Sequence, residues 1–171
     1  MTVERGGRDV DTRGDFTVVT GPGDLQVEPA PVERVAGEGH THIDIVLPSA
    51  FYRAGDTVNG QITLTPQSDL PDGDVAVHWQ HLRDSHPLTR SPATLAVLDG
   101  PVLQLGKGIA LRAGAPVALP FALALPPDAA PTAAAVHSSL RWAIEARMFY
   151  KGFNSYMPER VRRQIVVVNA P

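Results

Sequence analysis

The sequence contains no cysteine among its 171 residues. This absence excludes disulfide scaffolds, zinc sites built on thiolates and cysteine nucleophiles. It also fits a reducing compartment. A chain of this length suits one domain, with or without a tail, and can bury a core without metals or disulfides.

Positive charge and long apolar runs are also scarce. Only two lysines occur, Lys107 and Lys151, and the formal net charge is −3. No large positive field is therefore expected to attract nucleic acid. The longest apolar run, residues 117–125, is interrupted by Pro120 and is far shorter than the ~20 residues of a membrane span. The early arginines are followed by no apolar signal segment, so we expect a cytoplasmic protein.

Glycine and proline, by contrast, are abundant, with 15 and 16 copies, which is typical of a chain with many turns. Residues 1–38 are polar or turn-rich and are predicted to be a flexible N-terminal segment, with a short hairpin at 16–28. From residue 39 onward apolar residues recur with a period of two. Residues 39–171 are therefore predicted to form one β-sandwich domain.

The alternation is clearest in two segments. Val58, Ile62 and Leu64 share one strand face with Gly60, and polar residues occupy the other face. In residues 140–150, Leu, Trp, Ile, Ala and Met alternate with Arg, Ala, Glu, Arg and Phe. The alanine-rich residues 127–136 contain two prolines and are expected to be loop. The whole pattern predicts an all-β, antiparallel, immunoglobulin-like sandwich of seven or eight strands.

Three motifs resemble the arrestin-like family, and a single-domain, bacterial-type member is the closer comparison. Residues 51–62 read aromatic, Gly-Asp and Val-x-Gly-x-Ile; residues 119–126 read apolar-Pro-Phe-x-Leu-x-Leu-Pro; residues 139–146 alternate around a tryptophan. The resemblance implies a non-enzymatic adaptor or scaffold that needs no cofactor. The lysine-rich phosphate-reading surface of arrestins is missing, so phosphoreceptor binding is not carried over.

The strongest candidate for a binding site is the connection at residues 149–157, which joins the last two predicted strands as a hairpin. Aromatic and Met side chains are enriched where proteins bind proteins. The proposed partner-binding residues are Phe149, Tyr150, Phe153, Tyr156 and Met157 on the loop, with Arg147 and Arg160 at its base. The alternative interpretation is that Tyr150 and Phe153 fold back on the domain while the arginines pair with Glu145 and Glu159.

Two further hypotheses remain open at this stage. A free sheet edge could bind a partner strand through backbone hydrogen bonds, and the same interaction could form a homodimer. A different class of function is a metal- or carbohydrate-binding accessory domain. His40, His42 and Asp44, at alternate positions of a predicted strand, would then be the metal ligands. Against a sugar site, both tryptophans are expected to be buried.

Overall fold

The computed structural model describes residues 30–85, 94–135, 138–152 and 158–168, and these residues contain eleven β-strands. The strands are β1 (Val32–Ala36), β2 (Thr41–Val46), β3 (Phe51–Arg53), β4 (Thr57–Pro66), β5 (Leu70–Ser85), β6 (Thr94–Asp99), β7 (Leu103–Leu111), β8 (Val117–Ala124), β9 (Ala133–Ala135), β10 (Ser138–Tyr150) and β11 (Glu159–Val168). All the described connections are turns or irregular segments, so the predicted all-β class is confirmed.

The strands form two sheets that pack face to face. The large sheet has the order β1-β11-β10-β5-β6; β7 also pairs with β5, β9 with β10, and β3 with β11. The small sheet has the order β2-β4-β8. Every pairing is antiparallel except that of β3 with β11, which is parallel. A continuous apolar core lies between the sheets, as the predicted sandwich requires.

In the small sheet, the predicted alternation on β4 is confirmed. Val58, Ile62 and Leu64 are fully buried. Gly60 lies on the same face. A larger residue would not fit there, because its Cβ would lie only 2.6 Å from Cζ of Phe121 on β8. Pro120 faces away from the core and lies on β8, an edge strand of the small sheet, where a missing N–H donor costs no ladder bond.

The large sheet contributes both tryptophans to the core. Val75, Val77 and Trp79 of β5 pack beside Trp142 and Ile144 of β10, all at most 7% exposed. The two indole rings lie 5.3 Å apart, centroid to centroid. Each large apolar side chain buried in this way contributes about 1.5–3 kcal/mol. Both tryptophans are buried, as their position in the alternation predicts.

One predicted boundary needs correction. The sandwich was expected to begin at residue 39, yet β1 pairs with β11 through Glu33 and Arg162, inside the segment expected to be flexible. The Gly- and Pro-rich flanks obscure this five-residue strand, which is stabilised by pairing with a partner far along the chain. The expected hairpin at 16–28 lies outside the described residues.

The middle of the chain is also more regular than its sequence indicates. Leu103–Leu111 form one continuous strand, β7, and β6 precedes it. The alanine-rich residues expected to be loop contain β9, which pairs with Leu140, Ser139 and Ser138. The chain therefore has more strands than the seven or eight expected, because short strands depend on neighbours that the local sequence does not show.

Candidate interaction surface

The base of the 149–157 hairpin is formed by the antiparallel pairing of β10 and β11, as expected. The register places Glu145 opposite Arg162 and Arg147 opposite Arg160. All four side chains belong to the face of the large sheet that points away from the sandwich core. Directly opposed like charges destabilise a sheet, so Arg147 and Arg160 require compensation nearby.

Glu145 supplies that compensation. Its carboxylate is fully buried and accepts a 2.7 Å hydrogen bond from Nε of Arg147. The guanidiniums of Arg160 and Arg162 approach it to 3.8 Å and 3.7 Å. One carboxylate therefore lies among three guanidiniums, and Arg147 has a second acidic partner in Asp99. One part of the alternative interpretation, the pairing of the hairpin arginines with Glu145, agrees with these contacts, whereas Glu159 pairs with Arg34 instead.

A second group of polar residues adjoins this carboxylate. Nη2 of Arg147 lies 3.0 Å from Nε2 of the fully buried His78 and donates a 2.8 Å bond to Asp99. Burial first, and the charge of Arg147 second, lower the pKa of His78, so the imidazole is neutral near pH 7. Burial alone would raise the pKa of Asp99, but hydrogen bonds from Gln80 and Arg147 hold it below its ordinary value.

Sequence reasoning missed His78, Gln80 and Asp99 as parts of this network. His78 and Gln80 occupy the face of β5 that alternation assigns to solvent, yet they are 0% and 3% exposed. Alternation identifies which residues share a face. It does not show that strands distant in the chain bring acids and bases together across that face.

A groove opens beside this network. It has a volume of about 550 Å³ and is lined by Val35, Ala36, Gly37, Arg147, Phe149, Pro158 and Arg160. The phenyl ring of Phe149 is 48% exposed. The lining residues include two cations and no acid. The buried Nε of Arg160 also lacks a hydrogen-bond partner in the described part of the chain.

The predicted binding residues of the loop and its base do not all lie at the same site. Phe149, Arg147 and Arg160 all line the groove, as a binding site at the hairpin base requires. Tyr150 instead points toward the sandwich, where its hydroxyl bonds Thr41 and Glu159, so it folds back as the alternative interpretation has it. Phe153, Tyr156 and Met157 lie outside the described residues.

The metal hypothesis does not match the geometry. His40 precedes β2 and lies against Tyr150 and Glu38, whereas His42 and Asp44 follow on the outward face of the strand. No group of three or more His, Asp or Glu side chains suited to a metal ion occurs among residues that the structure describes.

Helices able to cross a membrane are also missing from the described ranges. No family model matches the sequence, and the search of curated proteins gives no match.

The molecule thus belongs to the all-β sandwich class, with a basic and aromatic groove on the outer face of its large sheet. Among solved structures it is similar to Spo0M, a sporulation control protein from Bacillus subtilis, with a TM-score of 0.63 and 14% sequence identity. The similarity covers 78% of this chain and 51% of the other, so the chain spans about half the length of Spo0M. It supports the arrestin-like sandwich fold that the sequence motifs predict.

Proposed function

We propose that this chain is a non-enzymatic interaction domain, an adaptor or scaffold, that binds a protein partner at the groove lined by Arg147, Phe149 and Arg160. The observation that carries the proposal is the composition of the groove. Two guanidiniums, Arg147 and Arg160, flank the half-exposed ring of Phe149, and no acidic side chain lines the space. Exposed aromatic and arginine side chains are the residue types that dominate binding energy in protein interfaces.

The chemistry of the groove indicates the kind of segment it would bind. Arg147 already bonds Glu145 and Asp99, so it is held in place before a ligand arrives. Arg160 touches Glu145 only at 3.8 Å and can donate to a further carboxylate. An acidic residue of the partner would pair with Arg160, and a neighbouring apolar side chain would cover Phe149.

The arrestin-like fold supports an interaction role without establishing it, because one fold hosts many functions. Spo0M is described as a control protein. A regulatory role for the present chain, exerted through binding, is consistent with that description.

The test compares two double variants in affinity capture from lysate of the source organism. In the first, Phe149→Ser is combined with Arg160→Ser, which removes the exposed ring and the available cation. The matched control combines Val46→Ser with Arg53→Ser, because Val46 is 46% exposed on the small sheet and the exposed Arg53 pairs with Val168, at the end of β11 far from Arg160. A captured protein is identified, purified and titrated against all three forms by calorimetry.

We expect the wild type and the control to bind the purified partner equally, and the groove variant to lose at least about tenfold in affinity, or ~1.4 kcal/mol. Unchanged circular dichroism and denaturation midpoints would show that the variants are folded. Equal affinity of all three forms for the purified partner, or the absence of any specific partner, would contradict the proposal.

A further inference from the structure

A second feature of the surface is the exposed strand β6. β6 is the last strand in the order of the large sheet, and only β5 pairs with it within the described ranges. Its apolar side chains are exposed on both faces: Leu95 is 57%, Val97 46% and Leu98 60% exposed. A strand of this kind presents unpaired backbone groups together with apolar side chains, which is the usual template for strand addition.

The hydrogen-bond pattern shows which backbone groups are available. The N–H of Gly100 donates to the carbonyl of Trp79 at 2.8 Å, in register with the β5–β6 pairing. Along an antiparallel strand, successive backbone N–H groups point alternately toward one neighbouring strand and away from it. The N–H groups of Leu98 and Ala96 therefore point toward β5, and those of Leu95, Val97 and Asp99 point away from it.

Three other outer strands carry features that protect an edge, whereas β6 has almost none. β8 contains Pro120, β1 carries Glu33 and Arg34, and β2 carries His42 and Asp44. β6 has no proline, lysine or arginine, and its one charged residue, Asp99, is engaged by Arg147 and Gln80. Proline and outward charge are the devices that normally prevent edge-to-edge pairing.

We propose that β6 pairs with β6 of a second copy of this chain, antiparallel, about a two-fold axis through Val97. In that register each Val97 exchanges two backbone hydrogen bonds with its counterpart, and Leu95 of each copy does so with Asp99 of the other. The side chains also match, because Ala96 lies opposite Leu98 on one face while the two Val97 side chains meet on the other. The strand is uncharged apart from Asp99, so two copies of a chain with net charge −3 meet where repulsion is smallest.

The first experiment measures the mass of the full chain by sedimentation velocity over a concentration series. Val97→Lys places a charge on the edge, and Val97→Pro removes an outward N–H while keeping the ladder to β5. Val46→Lys is the matched control, because Val46 has the same 46% exposure on the other sheet. We expect a concentration-dependent dimer for the wild type and for Val46→Lys, and at least about tenfold weaker association for both Val97 variants.

The second experiment uses the absence of native cysteine. Opposed residues of a hydrogen-bonded pair lie about 5.5 Å apart at Cα, within disulfide range. Val97→Cys should therefore form a covalent dimer under mild oxidation, and Ala118→Cys, exposed on β8, should not.

A wild-type chain that stays monomeric at every concentration would overturn the proposal. So would a dimer that Val97→Lys leaves intact, or equal cross-linking at Val97 and Ala118. The Phe149→Ser/Arg160→Ser variant should dimerise like the wild type. Loss of partner capture and loss of dimerisation can therefore be distinguished.

Discussion

The hydroxyl of Tyr150 donates a 2.9 Å hydrogen bond to the carboxylate of Glu159, which is only 2% exposed. The same carboxylate binds Nη1 of Arg34 at 2.9 Å, and the Tyr150 hydroxyl also contacts Oγ1 of Thr41 at 2.8 Å. These contacts connect the end of β10 and the start of β11 to β1 and β2. The buried charge of Glu159 is paired and hydrogen-bonded, as burial demands.

Tyr150→Phe is expected to destabilise the domain by about 1–3 kcal/mol. The variant keeps the ring but removes the donor to Glu159, which leaves a buried charged acceptor with one partner fewer. The measurement is the free energy of unfolding from urea denaturation. Tyr52→Phe is the matched control, because the buried Tyr52 hydroxyl makes no side-chain hydrogen bond in the described part of the molecule. Equal losses in the free energy of unfolding would show that the Tyr150–Glu159 hydrogen bond does not contribute to stability beyond the loss of a buried hydroxyl.

Gly60→Ala is expected to destabilise the sandwich by about 1–3 kcal/mol, because the added methyl group overpacks the core. Its Cβ would lie 2.6 Å from Cζ of Phe121 and 2.8 Å from Cδ2 of Leu47. The measurement is again the free energy of unfolding.

A double-variant cycle tests the stated cause. Phe121→Leu removes the ring that the new methyl group would strike, so Gly60→Ala should cost less in that background than in the wild type. Additive losses would point instead to the contact with Leu47 or to a backbone effect of the glycine.

Stability is expected to decrease as the pH falls below about 6.5. Burial, the largest cause, lowers the pKa of both His78 and His81. Below the ordinary histidine pKa, the unfolded chain therefore binds more protons than the folded chain. Their contribution is complete above the unfolded pKa and is lost as the pH falls toward the folded values. Glu145, Arg147 and Asp99 face the His78 imidazole and contribute to its environment.

The measurement is the urea midpoint at about pH 7.5 and about pH 5.5, on either side of the ordinary histidine pKa. His78→Gln should reduce the difference between the two midpoints, and adding His81→Gln should reduce it further. A difference unchanged in the double variant would assign the pH dependence to other groups.

Removal of residues 30–38 is expected to destabilise the domain, because β1 pairs with β11 and Arg34 neutralises Glu159. Chains covering 30–171 and 39–171 are compared by thermal unfolding, with the shorter chain melting at the lower temperature. Equal melting temperatures would restore residue 39 as the start of the folded domain. Arg34→Met in the longer chain separates loss of the ion pair from loss of the strand, since it removes only the former.

The strands whose apolar residues alternate without interruption could be predicted from the sequence, together with the inward face of each. The inward faces of β4, β5, β8 and β10 follow that pattern, whereas outward residues such as His78 and Glu145 are buried as well. β1, β6 and β9 could not be predicted, because they are short and are stabilised by neighbours distant in sequence. Of the predicted binding residues, Phe149, Arg147 and Arg160 line one groove, whereas Tyr150 belongs to the core edge.

The sequence by itself determined the β-sandwich class, since period-two alternation gives each strand one apolar face and no segment of the chain has the pattern of a helix that could cover it. It also determined the absence of disulfides, because no cysteine is present. Only the tertiary structure decided which strand became an exposed edge and which charges surround Glu145. Both depend on strand order and register, and these are set by packing between segments that lie far apart along the chain.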